Sequence, residues 1–369
     1  MSTAKPSFAL SQDARIFYNG VDEIRIRKGI WNYTEATLSL ADEKEAARKA
    51  FIQIFKDLSE GKTIDMESLP DRFGLDKEQK SSVFQVMEAL RHQLYLRSAQ
   101  DQQVGKIISD MFGGVYQPSG AAPIPIKPRP ALVFTDSQYA QKIAAQIAAD
   151  MNYSVDIMDE KTFKNLCAAD FTTKTDAIET IKETESMGRL IAPYSVVIGI
   201  MEKPSISFLR NLNRLLVTAE KPLILSLIDG PFITFLTINP PQTGCFECYE
   251  NRLMARMENL AVYHNFADAT RTSLSDLKEA FVNPLLHALT GIAIAEGFLQ
   301  STIGFSKSSG RVVNVYLPVG EIQIQDLMRV PFCPACGYVA RSEISEMFTS
   351  SKMIVNKLLE SVNLVDQEK

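Results

Sequence analysis

The 369 residues are 46% hydrophobic and 22% charged, with a net charge of -5. That length suggests two or three domains, and the apolar content excludes a globally disordered chain. The acidic balance argues against a generic nucleic-acid binder, and no stretch approaches the ~18 uninterrupted apolar residues of a membrane span.

The N-terminus, MSTAKPSFALSQDAR, has no apolar run of signal-peptide length. The expected location is therefore the cytoplasm, where the five cysteines stay reduced and read first as metal ligands or buried thiols. The first hundred residues form a β-then-α pattern. Residues 14–20, 23–31 and 33–40 are expected strands, with Ile24, Ile26 and Ile30 alternating with Arg25, Arg27 and Gly29. Helices are expected over residues 43–58, 68–73 and 76–96, the last capped by Asp76 and carrying Val83, Phe84, Met87, Leu90 and Leu94 on one face. Three strands plus a helix-turn-helix give an α+β winged-helix outline for residues 1–110. A Gly- and Pro-rich linker follows over residues 111–130.

From residue 131 strands alternate with helices. Residues 131–134, 154–158, 195–200 and 222–228 read as strands, and 138–151 and 207–219 as helices, the pattern of a parallel α/β sheet. Residues 232–238 and 311–317 are later strands, 284–303 is a long apolar helix, and 342–362 is an amphipathic helix. Cys167 stands alone in a helix-like segment and reads as core.

Four of the five cysteines fall in two pairs, Cys245-Phe246-Glu247-Cys248 and Cys333-Pro334-Ala335-Cys336. A CxxC knuckle lets both thiolates reach one ion, and two knuckles close a tetrahedral zinc site with no open position, hence structural rather than catalytic. Gly244 and Gly337 flank the knuckles where tight turns need room. Buried cysteines paired by chance and a redox CxxC are the alternatives.

The run KPLILSLIDGPFITFLTINPPQTGCFECYENR, Lys221 to Arg252, resembles the ThiF/MoeB/ubiquitin-activating family, and RVVNVYLP with MRVPFCPACG, between Arg311 and Gly337, is similar to its later strand and second knuckle. The resemblance covers residues 130–337. It implies a ThiF-like, Rossmann-type, mostly parallel sheet with a four-cysteine zinc site over residues 131–369. A winged-helix module in front of such a domain resembles the SagC-like C proteins of azole-forming cyclodehydratases, which mature ribosomal peptides (RiPPs) such as bacteriocins. There the front module is a RiPP recognition element that binds the leader of the precursor peptide. A YcaO (D) protein holds ATP and activates backbone amides for thiazole or oxazole formation. Because this chain ends at Lys369, its YcaO partner is expected to be separate. Such domains often dimerise, so a homodimer is expected.

Active members have a glycine-rich phosphate turn after the first strand. Here that turn reads FTDSQYAQ, without glycine, and Asp136 puts negative charge where phosphate would sit. Asp156 and Asp159 follow the second strand, where the family has ribose- and magnesium-binding acids; they are expected to be remnants. No catalytic dyad is evident, and His287 reads as a helix histidine. Leader binding by strand addition beside residues 33–40, facing the helix at 76–96, implies contacts from Tyr33, Glu35, Thr37, Lys77, Lys80 and Phe84. Two readings compete with this non-catalytic, leader-binding role: an adenylating enzyme in its own right, and a winged-helix DNA-binding regulator. The helix at 76–96 mixes Lys77, Lys80, Arg91 and Arg97 with Glu78 and Glu88, a thin footprint for DNA.

Overall fold

The structure is a computed structural model that describes residues 7–11, 13–65, 73–93, 95–98, 107–108, 111–112, 127–172, 178–270, 283–337 and 355. The chain divides into two compact units, Met1–Lys127 and Pro128–Lys369.

The first unit contains β1 (Ser7–Leu10), β2 (Ala14–Tyr18), β3 (Glu23–Lys28), β4 (Thr34–Ser39), α1 (Glu45–Ser59), β5 (Ile64–Asp65), α2 (Lys77–His92) and β6 (Leu96–Ser98). β2, β3 and β4 form an antiparallel meander with β3 in the centre. On β3 the alternation buries Ile24 and Ile26 and turns Arg25 and Arg27 to the other face. Gly29, at φ +81°, turns β3 into β4; a side chain there would run into the Asn32 carbonyl. α1 buries Phe51, Ile54, Phe55 and Leu58 against Ile24, Ile26, Val83 and Met87 in one core. Asp76 caps α2 and Gln79 returns the bond, a capping box.

The sequence reading differs from the structure at the end of this unit. The helix expected to run to Leu96 stops at His92, and Leu96 enters β6, which pairs with β1. β1 also pairs with β5, so a second small sheet exists that periodicity did not reveal. The expected helix at 68–73 lies outside the described residues except for Phe73, as does most of the linker at 111–130 and nearly all of the helix at 342–362.

The second unit is built on a seven-stranded sheet of order β13-β12-β11-β10-β9-β7-β8. Its strands are β7 (Ala131–Thr135), β8 (Val155–Ile157), β9 (Val196–Met201), β10 (Leu223–Asp229), β11 (Phe232–Ile238), β12 (Arg311–Tyr316) and β13 (Glu321–Asp326). β8, β7, β9 and β10 are mutually parallel. β11, β12 and β13 continue the sheet antiparallel, so five of the seven strands point the same way. The helices are α3 (Gln138–Asp150), α4 (Glu160–Ala168), α5 (Ile178–Ile191), α6 (Ile206–Thr218), α7 (Phe246–Met254), α8 (Leu260–Ala269) and α9 (Pro284–Ile303).

β9 is buried at every position, as a central strand covered on both faces must be. On one face Phe134, Phe163 and Phe208 bring β7, α4 and α6 together, with ring centroids 4.3 Å apart for Phe163–Phe208 and 4.9 Å for Phe134–Phe208. On the other, α9 lies against β9, β10 and α3. α9 begins and ends where its residues dictate: Asn283 caps it, Pro284 fills the first turn, and left-handed Gly304 closes it. Cys167 is buried in α4, and burial pushes its thiol up to about 12, in keeping with a core role. Among the described residues, no helix is long and apolar enough to cross a membrane.

Candidate functional site

Cys245 stands at the N-terminal cap of α7, and Cys248 lies in that helix's first turn. Cys333 and Cys336 sit on the loop that follows β13. The two loops are zipped together, since the Gly244 N–H donates to the Leu327 carbonyl at 3.0 Å. Both glycines answer to close approach. A Cβ at Gly244 would lie 2.9 Å from the Met328 carbonyl oxygen, and one at Gly337 2.5 Å from that of Cys333.

The four sulfurs lie within 4.8 Å of one another, and all four residues are buried. Cys245 Sγ is 3.8 Å from Cys248 and 3.6 Å from Cys333, and Cys248 Sγ is 3.3 Å from Cys336. Those separations exceed any disulfide. They approach the ~3.8 Å between sulfurs on a tetrahedron with metal–sulfur bonds of about 2.3 Å. This cluster can hold a metal ion. Four adjacent thiolates repel one another, and a cation relieves that repulsion. With no cation the sulfurs share protons unequally: hydrogen bonding to its neighbours, Cys248 first, drives the Cys245 thiol up, and hydrogen bonds from the other three, Cys245 first, drive Cys336 down. The Val330 N–H points at Cys248 Sγ (3.3 Å) and the Asn213 amide at Cys245 Sγ (3.6 Å).

A layer of ion pairs holds the cluster. From α6, Arg214 makes a bidentate pair with Glu247 (2.6 and 2.8 Å) and donates to the Pro334 carbonyl at 2.6 Å, joining the two knuckles. Burial pushes the Glu247 carboxyl above its ordinary range, and Arg214 opposes that. One turn earlier on α6, Arg210 pairs bidentately with Glu250 of α7, which also accepts from the Tyr263 hydroxyl at 2.7 Å. Arg329 donates to the Cys336 carbonyl at 2.8 Å. The knuckle spacing did not reveal this clamp, because its arginines stand more than thirty residues from the acids in sequence.

A second candidate position is the crevice where the chain order reverses. β7 is followed on one side by β8 and on the other by β9, and ligands of open α/β sheets bind at the carboxyl ends of the strands there. Asp136 fills that position. Its carboxylate accepts the Glu202 N–H at 2.8 Å and the Lys203 N–H at 2.6 Å, stapling the end of β7 to the end of β9. It is only 7% exposed, and burial pushes its carboxyl above the ordinary 3.8 despite the two N–H bonds. Ser137 caps α3, so its hydroxyl takes the Ala140 N–H that a phosphate would otherwise use. Asp156 lies within β8 rather than after it, level with Leu132, and accepts from the Tyr194 hydroxyl at 2.9 Å. Asp159 caps α4, accepting the Thr162 N–H and hydroxyl (2.9 and 2.6 Å), bonds that hold its carboxyl low.

In the first unit, β4 is an edge strand. The Leu40 N–H donates to the Asp22 carbonyl, and bonded and non-bonded pairs alternate along an antiparallel ladder. Thr34, Ala36 and Leu38 therefore face β3, while the backbone groups of Glu35, Thr37 and Ser39 point outward. The Thr37 side chain is exposed. Glu35 is engaged by Arg25 (2.7 Å) and Arg27 (2.6 Å). Tyr33, just ahead of β4, stacks on the Arg27 guanidinium at 4.0 Å. On α2, Lys77 is exposed and Lys80 half-buried. Phe84 is half-exposed with its ring 6.5 Å from that of Phe8, whereas Met87 is fully buried.

No family model and no curated protein matches the chain. Solved structures do. A heterocyclase in complex with substrate and cofactor is 14% identical, with a TM-score of 0.58, over 90% of this chain and 40% of the other. The heterocyclase TruD is 15% identical (TM-score 0.57; 90% and 43% covered), and E. coli MccB with succinimide is 13% identical (0.51; 90% and 100%). The chain thus spans about two fifths of the heterocyclases and the whole of MccB. At these identities what is shared is the fold, and a coverage of 90% takes in residues of both units.

Proposed function

We propose that this chain is the leader-binding, partner-activating component of an ATP-dependent azoline-forming cyclodehydratase in RiPP maturation, acting in the cytoplasm with a YcaO protein. The observation that carries this reading is Asp136 stapled across the crevice: the chain's own carboxyl group occupies the position and takes the Glu202 and Lys203 N–H groups where an adenylating enzyme needs an open anion hole. The alternative, an adenylating enzyme in its own right, needs that position open. The matched heterocyclases extend well beyond the part shared with this chain, and the proposal assigns the ATP chemistry to the part that is not shared. Structures of MccB include one with MccA, which supports a precursor peptide as the ligand of this fold.

On this reading residues 1–110 are a winged-helix recognition element, 111–130 a linker, and 131–369 a ThiF-like scaffold. Cys245, Cys248, Cys333 and Cys336 hold a structural Zn2+, which stabilises the fold and offers no position to substrate. The leader adds as a strand to β4, whose outward backbone groups at Glu35 and Thr37 supply hydrogen bonds, with Tyr33, Lys77, Lys80 and Phe84 supplying specificity.

Two measurements test it. The chain alone should give no ATP–pyrophosphate exchange, and adding the YcaO protein should produce leader-dependent ATP turnover. Exchange by the chain alone would restore the adenylating reading. Fluorescence polarisation with a labelled leader should show Thr37→Pro weakening binding about tenfold, the worth of one hydrogen bond of ~1–1.5 kcal/mol. The proline removes only an outward N–H, so the β3 ladder survives. Unchanged affinity in that variant and in Lys80→Glu would remove β4 as the leader site.

A further inference from the structure

α9 and the cysteine cluster lie on opposite faces of the large sheet. Leu236 and Ile238 of β11 belong to the core that contains all four cysteines, so Thr237 between them faces α9. There it meets a buried carboxylate. Glu296, in the second half of α9, accepts the Ser306 hydroxyl at 2.5 Å and the N–H and hydroxyl of Ser308, each at 3.3 Å. The Thr237 hydroxyl completes the group, 3.1 Å from Ser306 Oγ and 2.7 Å from Ser308 Oγ. All four residues are buried, and the Lys307 ammonium stands 3.6 Å from the other carboxylate oxygen.

From this knot a line of backbone bonds runs to the first knuckle. Ser309 bridges to Thr237, and the Gly310 N–H donates to the Thr237 carbonyl at 2.9 Å. The Leu327 N–H donates to the Gly310 carbonyl at 2.7 Å, and the Leu327 carbonyl accepts from Gly244, the residue before Cys245. Close contact reinforces the line. Gly310 is left-handed at φ +71°, and a Cβ there would stand 3.1 Å from Thr243 Cγ2. Residues 304–310, fastened by Glu296, thus set where Leu327 and Gly244 meet.

Burying a carboxylate and three hydroxyls costs more than burying the same volume of hydrocarbon. Apolar packing would seal the loop, but it is non-directional. Hydrogen bonds of defined length and angle hold the loop in one position. We infer that Glu296 is a positioning residue for the metal cluster on the opposite face of the sheet. It fixes residues 304–310, and through Gly310, Leu327 and Gly244 it keeps the first knuckle beside the second. An ion can leave a closed four-sulfur site only when the knuckles part. That local opening becomes easier once the Gly244–Leu327 bond loses its backing.

The test loads variants of the full chain with zinc and reads two rates, zinc transfer to a chromogenic chelator and backbone amide exchange. Glu296→Ala should speed transfer about tenfold, the effect of about one buried hydrogen bond left unmade. It should also speed exchange at the Gly244, Gly310 and Leu327 amides, while those of β9 and β10 keep their rates. Glu296→Gln keeps an oxygen for the Ser306 hydroxyl and should restore most of the wild-type behaviour. Tyr153→Phe removes a hydrogen bond to Gly297, the next residue on α9, without touching the loop. It should lower stability and leave zinc transfer at the wild-type rate. Thr237→Val keeps the shape without the hydroxyl and should give a smaller acceleration; it decides the matter should Glu296→Ala fail to fold. Wild-type transfer and exchange rates in Glu296→Ala, or in Thr237→Val where the first variant does not fold, overturn the proposal. So does a Tyr153→Phe chain that releases zinc as fast as Glu296→Ala, since the effect would then be one of general stability. A wild type that takes up no zinc overturns it at the outset.

Discussion

The second unit contains two places where a charged guest could sit, and it treats them in opposite ways. At the cysteine cluster four buried sulfurs converge, and the neighbouring acids Glu247 and Glu250 are each answered by an arginine from α6. At the β7–β9 crevice the guest's position is taken by the chain's own Asp136 and the helix terminus by Ser137. Converging ligand atoms under a second layer of clamps describe a site kept for an ion. A carboxylate already bonded to the N–H groups it faces describes a site closed by substitution. One sheet can thus gather four ligand atoms that could hold a metal at one place while, at another, it turns its own carboxyl group onto the backbone N–H groups of a neighbouring strand end.

The largest effect that would sharpen this contrast is at the cluster itself. Binding free energy at such a site is folding free energy. Cys333→Ser should abolish zinc binding and lower the melting midpoint by about 10 °C or more, since each kcal/mol moves a domain of this size by about 2–4 °C. Full metal content with unchanged melting, by elemental analysis and calorimetry, would break the contrast on its first side. A smaller effect is expected from the clamp. Arg214→Ala leaves Glu247 buried without its cation and frees the Pro334 carbonyl. It should cost about 3 kcal/mol, at the lower end for a broken buried pair because the arginine is partly exposed. Metal should remain bound but leave faster to a chelator. A chelation rate equal to wild type would show that the clamp does not hold the site.

The sequence made some of this legible. Each knuckle is local, so spacing alone brought Cys245 to Cys248 and Cys333 to Cys336. The long helix α9 could be read to the residue because Asn283, Pro284 and Gly304 mark its ends. The clamp was hidden because Arg210 and Arg214 meet Glu250 and Glu247 only once α6 packs on α7. The Asp136 charge was visible, but its acceptance of the Glu202 and Lys203 N–H groups needs β7 beside β9. β5 and β6 have two and three residues, too few for any periodicity to register, and both exist because β1 needs partners. The expected helix ran on to Leu96 because Leu90 and Leu94 are four residues apart, but Leu96 pairs with β1 instead. β13 alternates cleanly yet buries neither face, so its pattern resembled a loop's.

The smallest effect, and the one that probes the closed crevice most directly, concerns the protonation of Asp136. Burial raises its folded-state value above the ordinary 3.8 even though two backbone N–H groups favour the anion. A group raised in this way adds stability that is fully present below its unfolded value and is lost as pH rises through the folded value. Asp136→Asn keeps the shape and removes the proton, but turns one N–H acceptor into a donor. Its deficit relative to wild type should therefore be greatest under acid conditions, about 1–2 kcal/mol for a bond left unmade. It should shrink as pH rises from about 4 toward 7. Urea titrations of both proteins across that range read the difference directly. A wild-type advantage that grows with pH would mean the two N–H groups outweigh burial and the position prefers an anion. That is the property of a phosphate subsite, and the crevice would then be a working anion hole temporarily filled by Asp136 rather than a chamber shut by it.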